Sequence, residues 1–408
     1  MKSGTIGAEA SAVRANILMF GGPVNWSEAW YSRHQLTAGL AQRHRVVLVD
    51  PAPQLRSVLA SPGRLLHGAR LRAEPVGTFR YEHPGWLPTV LRYAGLREAL
   101  EIRRAETIRS QLVAPARGPT VVYVWHPEYT DAVRPLRDLP IVYHAYDRYD
   151  LYTGAAGEVA RERETWLARH ATFCVGASSM IVEHLRSLGA ANVCLLRHGV
   201  DPGFFASGIT VPPALERLPH PRIGLVASLS DAVDYLGLQR IAQERPDWSL
   251  VIVGKRAFTD DRKREQFHAL VRLPNVHEFG FRPRQEVPGW LTGLDVALVS
   301  YDLETWAPFN QPLKLYEYLS CGLPVVASRI QAAEELGDLV RCVGSPQEWI
   351  PAIEAALAND DAESRARRRR FADENRWEKR VETLDEMLSQ RLGCHGGLAG
   401  DASARRSG

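Results

Sequence analysis

A short segment between residues 308 and 328 has the residue types needed to hold a phosphate-bearing ligand. Pro312 precedes a stretch that we predict to turn helical from Leu313, which leaves its first backbone amides without partners inside the helix. Such amides bind phosphate oxygens, and Lys314 adds a full positive charge at the same helix end. Glu317, one turn further along, can accept hydrogen bonds from a sugar hydroxyl. The segment therefore predicts a site for a nucleotide diphosphate.

Two other positions follow predicted strands, where ligands gather in open α/β sheets. Lys255 comes directly after Gly254 at the end of one strand, and Phe281 and Arg282 follow Gly280 at the end of another. Lys255 would meet the charge of a diphosphate bound at this edge. An ordinary exposed lysine explains Lys255 equally well, so that alternative stays open.

Side chains able to accept a proton follow two predicted strands in the first half of the chain. Asp147 lies in a polar run after one strand, and His126 follows the other; either suits a general base. Each also has an ordinary structural explanation, because an aspartate beside Arg148 is often ion-paired and a histidine at a strand end often caps a turn. We favour Asp147 over His126, with Glu128 and Asp150 behind them.

The composition sets the size and the class of the protein. The chain of 408 residues is long enough for two domains, and 45% hydrophobic with 24% charged residues is ordinary for a globular protein. Without an apolar run of ~18 residues or an apolar leader, we expect a cytoplasmic location. A net charge of +3 gives no argument for a nucleic-acid partner. The five cysteines are scattered, and neither Asp-x-Asp nor a His/Cys cluster occurs, so we predict neither a metal nor another cofactor.

Alternation of apolar runs with helical stretches predicts an α/β fold of two doubly wound parallel-sheet domains. Strands of the first half are predicted over 16–20, 45–49, 120–125, 141–145, 173–176 and 193–196, and those of the second half over 222–227, 249–253, 275–279, 296–300 and 324–327. The predicted boundaries are a disordered N-terminus (1–15), an N-terminal domain (16–201), a linker rich in proline (202–221), a C-terminal domain (222–374), a final helix (375–392) and a disordered tail (393–408).

A basic amphipathic helix is predicted between Leu87 and Leu112. Apolar residues such as Leu96 and Ile108 alternate there with arginines between Arg92 and Arg109. Such a helix suits peripheral contact with an anionic membrane, at the inner face of the plasma membrane. A helix packed on its own domain, with solvated arginines, is the more common outcome for this pattern.

The segment from Pro312 to Ser328 resembles the donor-binding signature of GT-B glycosyltransferases, in which a Tyr-Glu-Tyr-Leu helix precedes a Gly-x-Pro-Val-Val strand. Arg197-His198-Gly199-Val200-Asp201 is similar to the interdomain Asn-Gly-Val-Asp element of the same family, and Gly280-Phe281-Arg282 to its base-reading loop. The opening of the chain, from Trp26 to Pro51, is similar to a bacterial group 1 (family 4-like) subgroup that acts on cell-surface and secondary-metabolite sugars.

The resemblance implies two Rossmann-like domains that face each other across a cleft, with the donor bound by the second domain and the acceptor by the first. It also implies a final helix that crosses back onto the first domain. The implied donor-binding residues are Gly254, Lys255, Phe281, Arg282, Asn310, Gln311, Pro312, Leu313, Lys314 and Glu317. The implied acceptor or cleft residues are Gly21, Gly22, Trp26, Glu128, Asp150 and His198.

The activity implied by the resemblance is metal-independent transfer of a sugar from a UDP- or dTDP-sugar to a hydroxyl or amine of an acceptor. The acceptor would be a small molecule, a glycan or a lipid-linked sugar. Many retaining relatives carry two glutamates seven residues apart around the donor loop, whereas this chain has Phe309 at the first position and only Glu317 at the second. That difference favours inversion, with Asp147 or His126 as the base. The alternative is a non-catalytic nucleotide-sugar-binding subunit.

Overall fold

The structure is a computed structural model, and it describes residues 15–26, 31–89, 94–151, 155–206, 209–304 and 311–395. The strands are β1 (Asn16–Phe20), β2 (Arg45–Val49), β3 (Arg70–Ala73), β4 (Phe79–Glu82), β5 (Thr120–Val124), β6 (Ile141–Ala145), β7 (Phe173–Gly176), β8 (Val193–Leu195), β9 (Arg222–Val226), β10 (Leu229–Ser230), β11 (Ser249–Val253), β12 (Arg256–Ala257), β13 (Val276–Gly280), β14 (Val296–Val299), β15 (Val325–Ser328) and β16 (Val340–Val343). The helices are α1 (Ser32–Arg43), α2 (Leu55–Leu59), α3 (Ala94–Ile108), α4 (Thr130–Val133), α5 (Ala155–His170), α6 (Ser179–Ser187), α7 (Pro202–Ala206), α8 (Pro213–Glu216), α9 (Tyr235–Glu244), α10 (Asp261–Leu270), α11 (Val287–Thr292), α12 (Lys314–Ser320), α13 (Gln331–Glu334), α14 (Trp349–Ala358), α15 (Ala362–Glu374) and α16 (Trp377–His395).

The first sheet has eight strands among the described residues, in the order β3-β4-β2-β1-β5-β6-β7-β8. Its strands are parallel except for β3, which pairs antiparallel with β4 at one edge. Central strands such as Asn16–Phe20 and Thr120–Val124 are buried at every position, because helices cover both faces. The sheet places the loops after β1, β5 and β6 side by side at its carboxyl edge.

The second sheet has six parallel strands among the described residues, in the order β13-β11-β9-β14-β15-β16. The order reverses between β9 and β14, so a crevice opens where the chain leaves these strands. The loops after β11 and β13 and the segment that leads into α12 all follow carboxyl ends of this sheet. This is the position in which such folds bind ligands.

The final helix, α16, packs against α1 of the first sheet. A Cβ atom on Gly39 would lie only 2.2 Å from Cγ2 of Val381, so the glycine permits the close approach of the two helices. Asp385 adds contacts to the same domain, with Oδ1 lying 2.7 Å from Nε2 of His44 and Oδ2 lying 2.8 Å from Nη1 of Arg43. The chain therefore returns to its first domain after completing the second sheet.

The predicted linker contains two short helices. Residues 202–221 contain the short helices α7 and α8, which bury Phe205 and Leu215 in the core of the second sheet. These two helices have too few apolar residues to show a helical pattern in the sequence. Each of them nevertheless buries one large side chain. The predicted N-terminal disorder and most of the predicted tail lie outside the described residues.

The predicted basic helix is shorter than expected, and two of its arginines are engaged within the domain. Helix α3 covers Ala94–Ile108 and buries Ile108, while Arg92 lies outside the described residues. Arg104 is buried and donates to the carbonyls of Leu87 and Pro88, and Arg109, just after the helix, pairs with Asp138. The side chain of Arg103 is 70% exposed, so part of the predicted basic face stays in solvent. No helix in the described ranges combines the length and the apolar character that crossing a membrane requires.

Candidate active site

The predicted donor segment enters a short helix one residue later than expected. Leu313 is the residue before α12, and its carbonyl accepts hydrogen bonds from the amides of Tyr316 and Glu317. The helix has only seven residues, so its dipole is small and the charge of Lys314 carries most of the local positive potential. Asn310, which was predicted to bind the donor, lies outside the described residues, as do Trp306 and Phe309.

The side chains of Lys314 and Glu317 meet groups from two other loops. Nζ of Lys314 lies 5.0 Å from the centre of the Tyr301 ring, just after β14. Nη1 of Arg284 lies 3.4 Å from Oε1 of Glu317. Burial raises the pKa of Glu317, while the positive charges of Arg284 and Lys314 oppose that rise. The result is a half-buried cluster of two cations and one carboxylate at the carboxyl edge of the second sheet.

Arg284 was not predicted as a site residue. It follows β13 by four residues, and its guanidinium lies 4.6 Å from the centre of the Phe204 ring. The sequence signal was its place after a strand end, close to Phe281 and Arg282. The structure separates these neighbours: Phe281 is 66% exposed, whereas the guanidinium of Arg282 lies 5.2 Å from the Trp290 ring.

Gly254 occupies a position that tolerates no side chain. A Cβ atom there would lie 1.7 Å from the carbonyl oxygen of Ala227 at the end of β9. The amide of Gly254 also donates to the carbonyl of Gly280, and Lys255 accepts from the amide of Leu229. Three strand ends therefore meet at this glycine, and Lys255 projects from their junction with an exposed side chain.

The donor segment contacts the first domain directly. Leu313 packs against the apolar cluster of the first sheet and α16, a cluster that Trp26 and Tyr146 also adjoin. Trp26 follows β1 and Tyr146 follows β6, so both belong to loops at the carboxyl edge of the first sheet. The two predicted halves of the site thus lie on either side of one junction.

His198 links the first domain to the donor segment by hydrogen bonds. Its Nδ1 atom lies 2.9 Å from Oγ of Ser32 on α1, and its ring is hydrogen-bonded to the backbone of Gln311. Burial lowers the pKa of His198 to about 4, so the imidazole is neutral near pH 7. His198 was predicted as an acceptor or cleft residue, and the structure gives it the position of a connector between the domains.

The loop after β1 has the tight geometry that its glycines suggested. Gly21 has φ of 74°, which favours glycine, and its carbonyl accepts a hydrogen bond of 2.9 Å from Nη1 of Arg33. A Cβ atom on Gly22 would lie 2.8 Å from Leu48. The guanidinium of Arg33 also lies 5.2 Å from the centre of the Tyr146 ring, which joins the loops after β1 and β6.

His126 has the geometry of a capping residue. Its Nδ1 atom accepts a hydrogen bond of 3.2 Å from the amide of Glu128, and its ring packs edge-on against Tyr149. An amide can only donate, so in the neutral ring Nδ1 lacks a proton and Nε2 carries one. Burial lowers the pKa of His126, so this neutral state prevails. The side chain of Glu128 is 59% exposed.

Asp147 is half-buried after β6 and pairs with a backbone amide rather than with a cation. Its Oδ1 accepts from the amide of Arg148 at 2.9 Å. Burial raises the pKa of Asp147, Glu164 adds to the rise, and the Arg148 amide opposes it. The expected ion pair of Arg148 forms with Asp150 instead, at 2.7 Å from Nε to Oδ1. Among the described residues no cation pairs with Asp147, and a raised pKa without such a pair is typical of a carboxylate poised to accept a proton.

A buried polar network lies behind Asp147. Glu164 is fully buried, and it accepts from the hydroxyl of Tyr143 at 2.8 Å and contacts Nε2 of His184 at 2.9 Å. Asp150 also approaches His184, so these three groups have the spacing of metal ligands. Both carboxylate oxygens of Asp150 already accept hydrogen bonds from Arg148. This arrangement favours an ion-pair network over a metal site. Asp150, which was predicted as an acceptor or cleft residue, is thus held by Arg148 and His184.

Comparison with known proteins supports the implied family. Residues 220–359 match the family model described as Glycosyl transferases group 1. Over 212 residues the chain is 27% identical to TuaH of Bacillus subtilis (strain 168), which is named as a teichuronic acid biosynthesis glycosyltransferase; the match covers 48% of this chain and 50% of that protein. This relative is thus matched over only half of its own length.

Solved structures match the whole described architecture. The sucrose-phosphate synthase of Thermosynechococcus elongatus superposes with a TM-score of 0.67 over 93% of this chain and 100% of its own, at 14% identity. The chain has the GT-B fold. HepE of Anabaena, solved in complex with UDP and glucose, superposes on this GT-B protein with a TM-score of 0.65 over 92% of this chain and 99% of its own, at 16% identity. The predicted fold class and the predicted resemblance to glycosyltransferases are both confirmed.

Proposed function

We propose that this GT-B protein transfers a sugar from a UDP-sugar to a hydroxyl or amine of an acceptor bound by the first domain. The observation that carries the proposal is the contact of Leu313 with the cluster that Trp26 and Tyr146 adjoin. This shared cluster supports a site in which the segment implied in donor binding faces the loops that hold the candidate base. The HepE complex with UDP and glucose favours a uridine nucleotide over dTDP.

The donor diphosphate would bind between Lys314 and Lys255, with Arg284 nearby. Charge builds up on the leaving diphosphate as the glycosidic bond breaks, and fixed cations at that point stabilise the transition state. Glu317 would accept hydrogen bonds from sugar hydroxyls, held in place by Arg284 at 3.4 Å. We propose that these side chains make a bound metal unnecessary.

Asp147 is proposed as the general base. The acceptor oxygen would attack the anomeric carbon while Asp147 takes its proton, and the bond to the diphosphate would break on the opposite face. This sequence inverts the anomeric centre. The occupied Nδ1 of His126 supports Asp147 over His126, because the proton-free nitrogen of that ring already holds the Glu128 amide.

Release of UDP from a panel of UDP-sugars tests the proposal. We expect turnover by the intact protein, with water as a slow acceptor if no other is supplied, and a product of inverted anomeric configuration by NMR. UDP binding without turnover, whatever acceptor is supplied, would favour the alternative of a nucleotide-sugar-binding subunit. A product of retained configuration would remove Asp147 as an inverting base.

We also propose peripheral contact with an anionic membrane, through a wider surface than the predicted basic helix. Eight large apolar side chains within 55–102 are exposed, and we call them the apolar edge: Leu55, Leu59, Leu65, Leu66, Leu71, Trp86, Leu96 and Ile102. Hydrogen bonds from Leu55 to Thr89 and from Gly85 to His67 tie these segments into one lobe at the β3 edge of the first sheet.

The charge of this lobe suits anionic lipid. Residues 55–102 contain seven arginines and four glutamates, with neither lysine nor aspartate, which gives +3 for the sequence of this stretch. Arg80 is buried and pairs with Asp50, so the other arginines of the stretch would supply the charge that meets the lipid. Exposed tryptophan and leucine beside arginine are the residue types that enter the headgroup region of a bilayer. A membrane at this edge would hold a lipid-linked acceptor near the first domain.

A further inference from the structure

A cavity of about 410 Å³ lies behind the donor segment, on the side away from Lys314 and Glu317. Gln311, Pro312 and Leu315 form its wall toward that segment. The rest of the wall comes from the residues after β8 and from helices α13, α15 and α16. The cavity therefore touches the first sheet, the second sheet and the returning C-terminal segment at once.

Charged and polar groups line this cavity unevenly. Its walls include two guanidinium groups, Arg197 and Arg380, and one carboxylate, Glu335. Arg197 pairs with Glu335 at 2.9 Å. Arg380 donates through Nε to the carbonyl of His198 at 3.1 Å and contacts the side-chain oxygen of Asn375, and within the described residues it pairs with no carboxylate. The lining thus has an uncompensated positive charge.

One buried hydrogen-bond donor in the cavity wall has no acceptor among the described residues. Nε2 of Gln311 is buried and forms no hydrogen bond with the described residues. A buried amide donor without an acceptor is unfavourable, and an oxygen-bearing ligand in the cavity would satisfy it. His198 and Asn375 also line the wall, and their polar groups are bonded to Ser32, Gln311, Phe371 and Arg380.

The cavity is bounded by both connections between the domains. Val200 follows the residues after β8, and its amide donates to the carbonyl of Asn375 at 3.0 Å. The amide of Trp377 donates back to the carbonyl of Val200 at 3.1 Å, and a Cβ atom on Gly199 would lie 2.9 Å from the Trp377 ring. A molecule in the cavity would therefore touch both segments that connect the domains, which we call the hinge.

We propose that this hinge cavity binds a small phosphate-bearing molecule of sugar-phosphate size, held by Arg197, Arg380 and Gln311. Guanidinium groups bind phosphate oxygens in pairs, and the volume lies within the range of small-molecule sites. A ligand here stabilises the arrangement of the domains that closes the cavity around it. Through Gln311, the same ligand alters the position of the donor segment and so the affinity for UDP. The binding step is independent of the proposed function, whereas an effect on turnover rests on it.

The experiment measures binding of inorganic phosphate and glucose 6-phosphate by calorimetry and by Tm, against sodium chloride of equal ionic strength. We expect saturable binding of both by the intact protein, with Tm raised by about 2 °C at ten times Kd. Ala332→Phe, which fills the cavity without changing its charge, and Arg380→Met should each weaken binding at least tenfold. Arg376→Gln, on the exposed surface beside the hinge, should bind as the intact protein does.

A phosphate could also bind at the proposed donor site. Lys314→Met distinguishes the two locations, because Lys314 belongs to the donor site and does not line the cavity. Binding that survives Ala332→Phe and Arg380→Met but is lost in Lys314→Met would overturn the proposal, as would saturable binding by neither probe. Retained binding in Lys314→Met together with loss in Ala332→Phe supports it. Failure of the proposed function would appear separately, as absence of UDP release with phosphate binding intact.

Discussion

Oγ of Ser32 and Nδ1 of His198 lie 2.9 Å apart, which joins the first helix of the first domain to the segment that connects the domains. The same imidazole is bonded to the backbone of Gln311, just before the donor helix. Because the pKa of His198 is lowered to about 4, this link has an uncharged form throughout the neutral range. His198 is therefore one of the contacts, with the packing of α16 on α1, that set the donor segment relative to the first domain.

Replacement of Asp147 by Asn should reduce turnover by about 10²–10⁴-fold, the usual contribution of a general base. The KM for the UDP-sugar should change little, because Asp147 faces the acceptor side of the proposed site. UDP release under saturating donor measures the effect. Turnover within a factor of about three of the intact protein would remove Asp147 from the mechanism.

Replacement of His126 by Asn is the matched comparison. Asn can accept the hydrogen bond that the Glu128 amide now donates to Nδ1 at 3.2 Å, so the turn should persist. We expect turnover within about threefold of the intact protein. A loss as large as that of Asp147→Asn, in a variant of unchanged Tm, would identify His126 as the base instead.

The raised pKa of Asp147 also predicts how stability depends on pH. Burial makes the ionised carboxylate unfavourable in the folded protein, so its cost is present at neutral pH and disappears as pH falls below the pKa of the unfolded state. Asp147→Asn should therefore have a higher Tm than the intact protein at pH 7, and the difference should shrink toward pH 4. A variant less stable than the intact protein at pH 7 would contradict this account. In the intact enzyme kcat/KM should fall as pH drops through the raised pKa, because only the ionised form accepts a proton.

The sequence alone predicted the strands whose bounds follow from the apolar residues of the strand itself. Strands such as Asn16–Phe20, Ile141–Ala145 and Ser249–Val253 have the bounds that their apolar runs indicated. Strand β3 was missed because its sequence, Arg-Leu-Arg-Ala, is exposed at every position and pairs only at an edge. Its place depends on the antiparallel partner β4, which a local pattern does not show.

The candidate site was predictable where residues follow strand ends and not where partners are distant in sequence. Lys314 and Glu317 lie in a continuous motif, whereas Arg284 reaches Glu317 across 33 residues. Glu164 lies on α5 and raises the pKa of Asp147 only because the fold brings helix and loop together. The sequence also did not show that Arg104 is buried, because the carbonyls of Leu87 and Pro88 that it reaches lie in another segment.

The apolar edge predicts binding to vesicles that contain anionic lipid. The intact protein should float with vesicles of phosphatidylglycerol and phosphatidylcholine and much less with phosphatidylcholine alone, because the lobe is both apolar and positive. A variant with Leu59, Leu66 and Trp86 each changed to Ser should lose most of this binding. Leu236→Ser, which removes a 56% exposed leucine on the second domain, should not. Flotation that the triple change leaves intact would show that the apolar edge is not the contact.

The most direct test of the central claim is calorimetric binding of UDP in the presence of EDTA. We predict a single saturable site in the intact protein and at least tenfold weaker binding in Lys314→Met, because the lysine beside the donor helix meets the diphosphate. Lys379→Met, on the exposed face of α16, serves as the control and should bind as the intact protein does. Absence of UDP binding without a metal, or equal affinity in the intact protein and Lys314→Met, would contradict the proposed donor site.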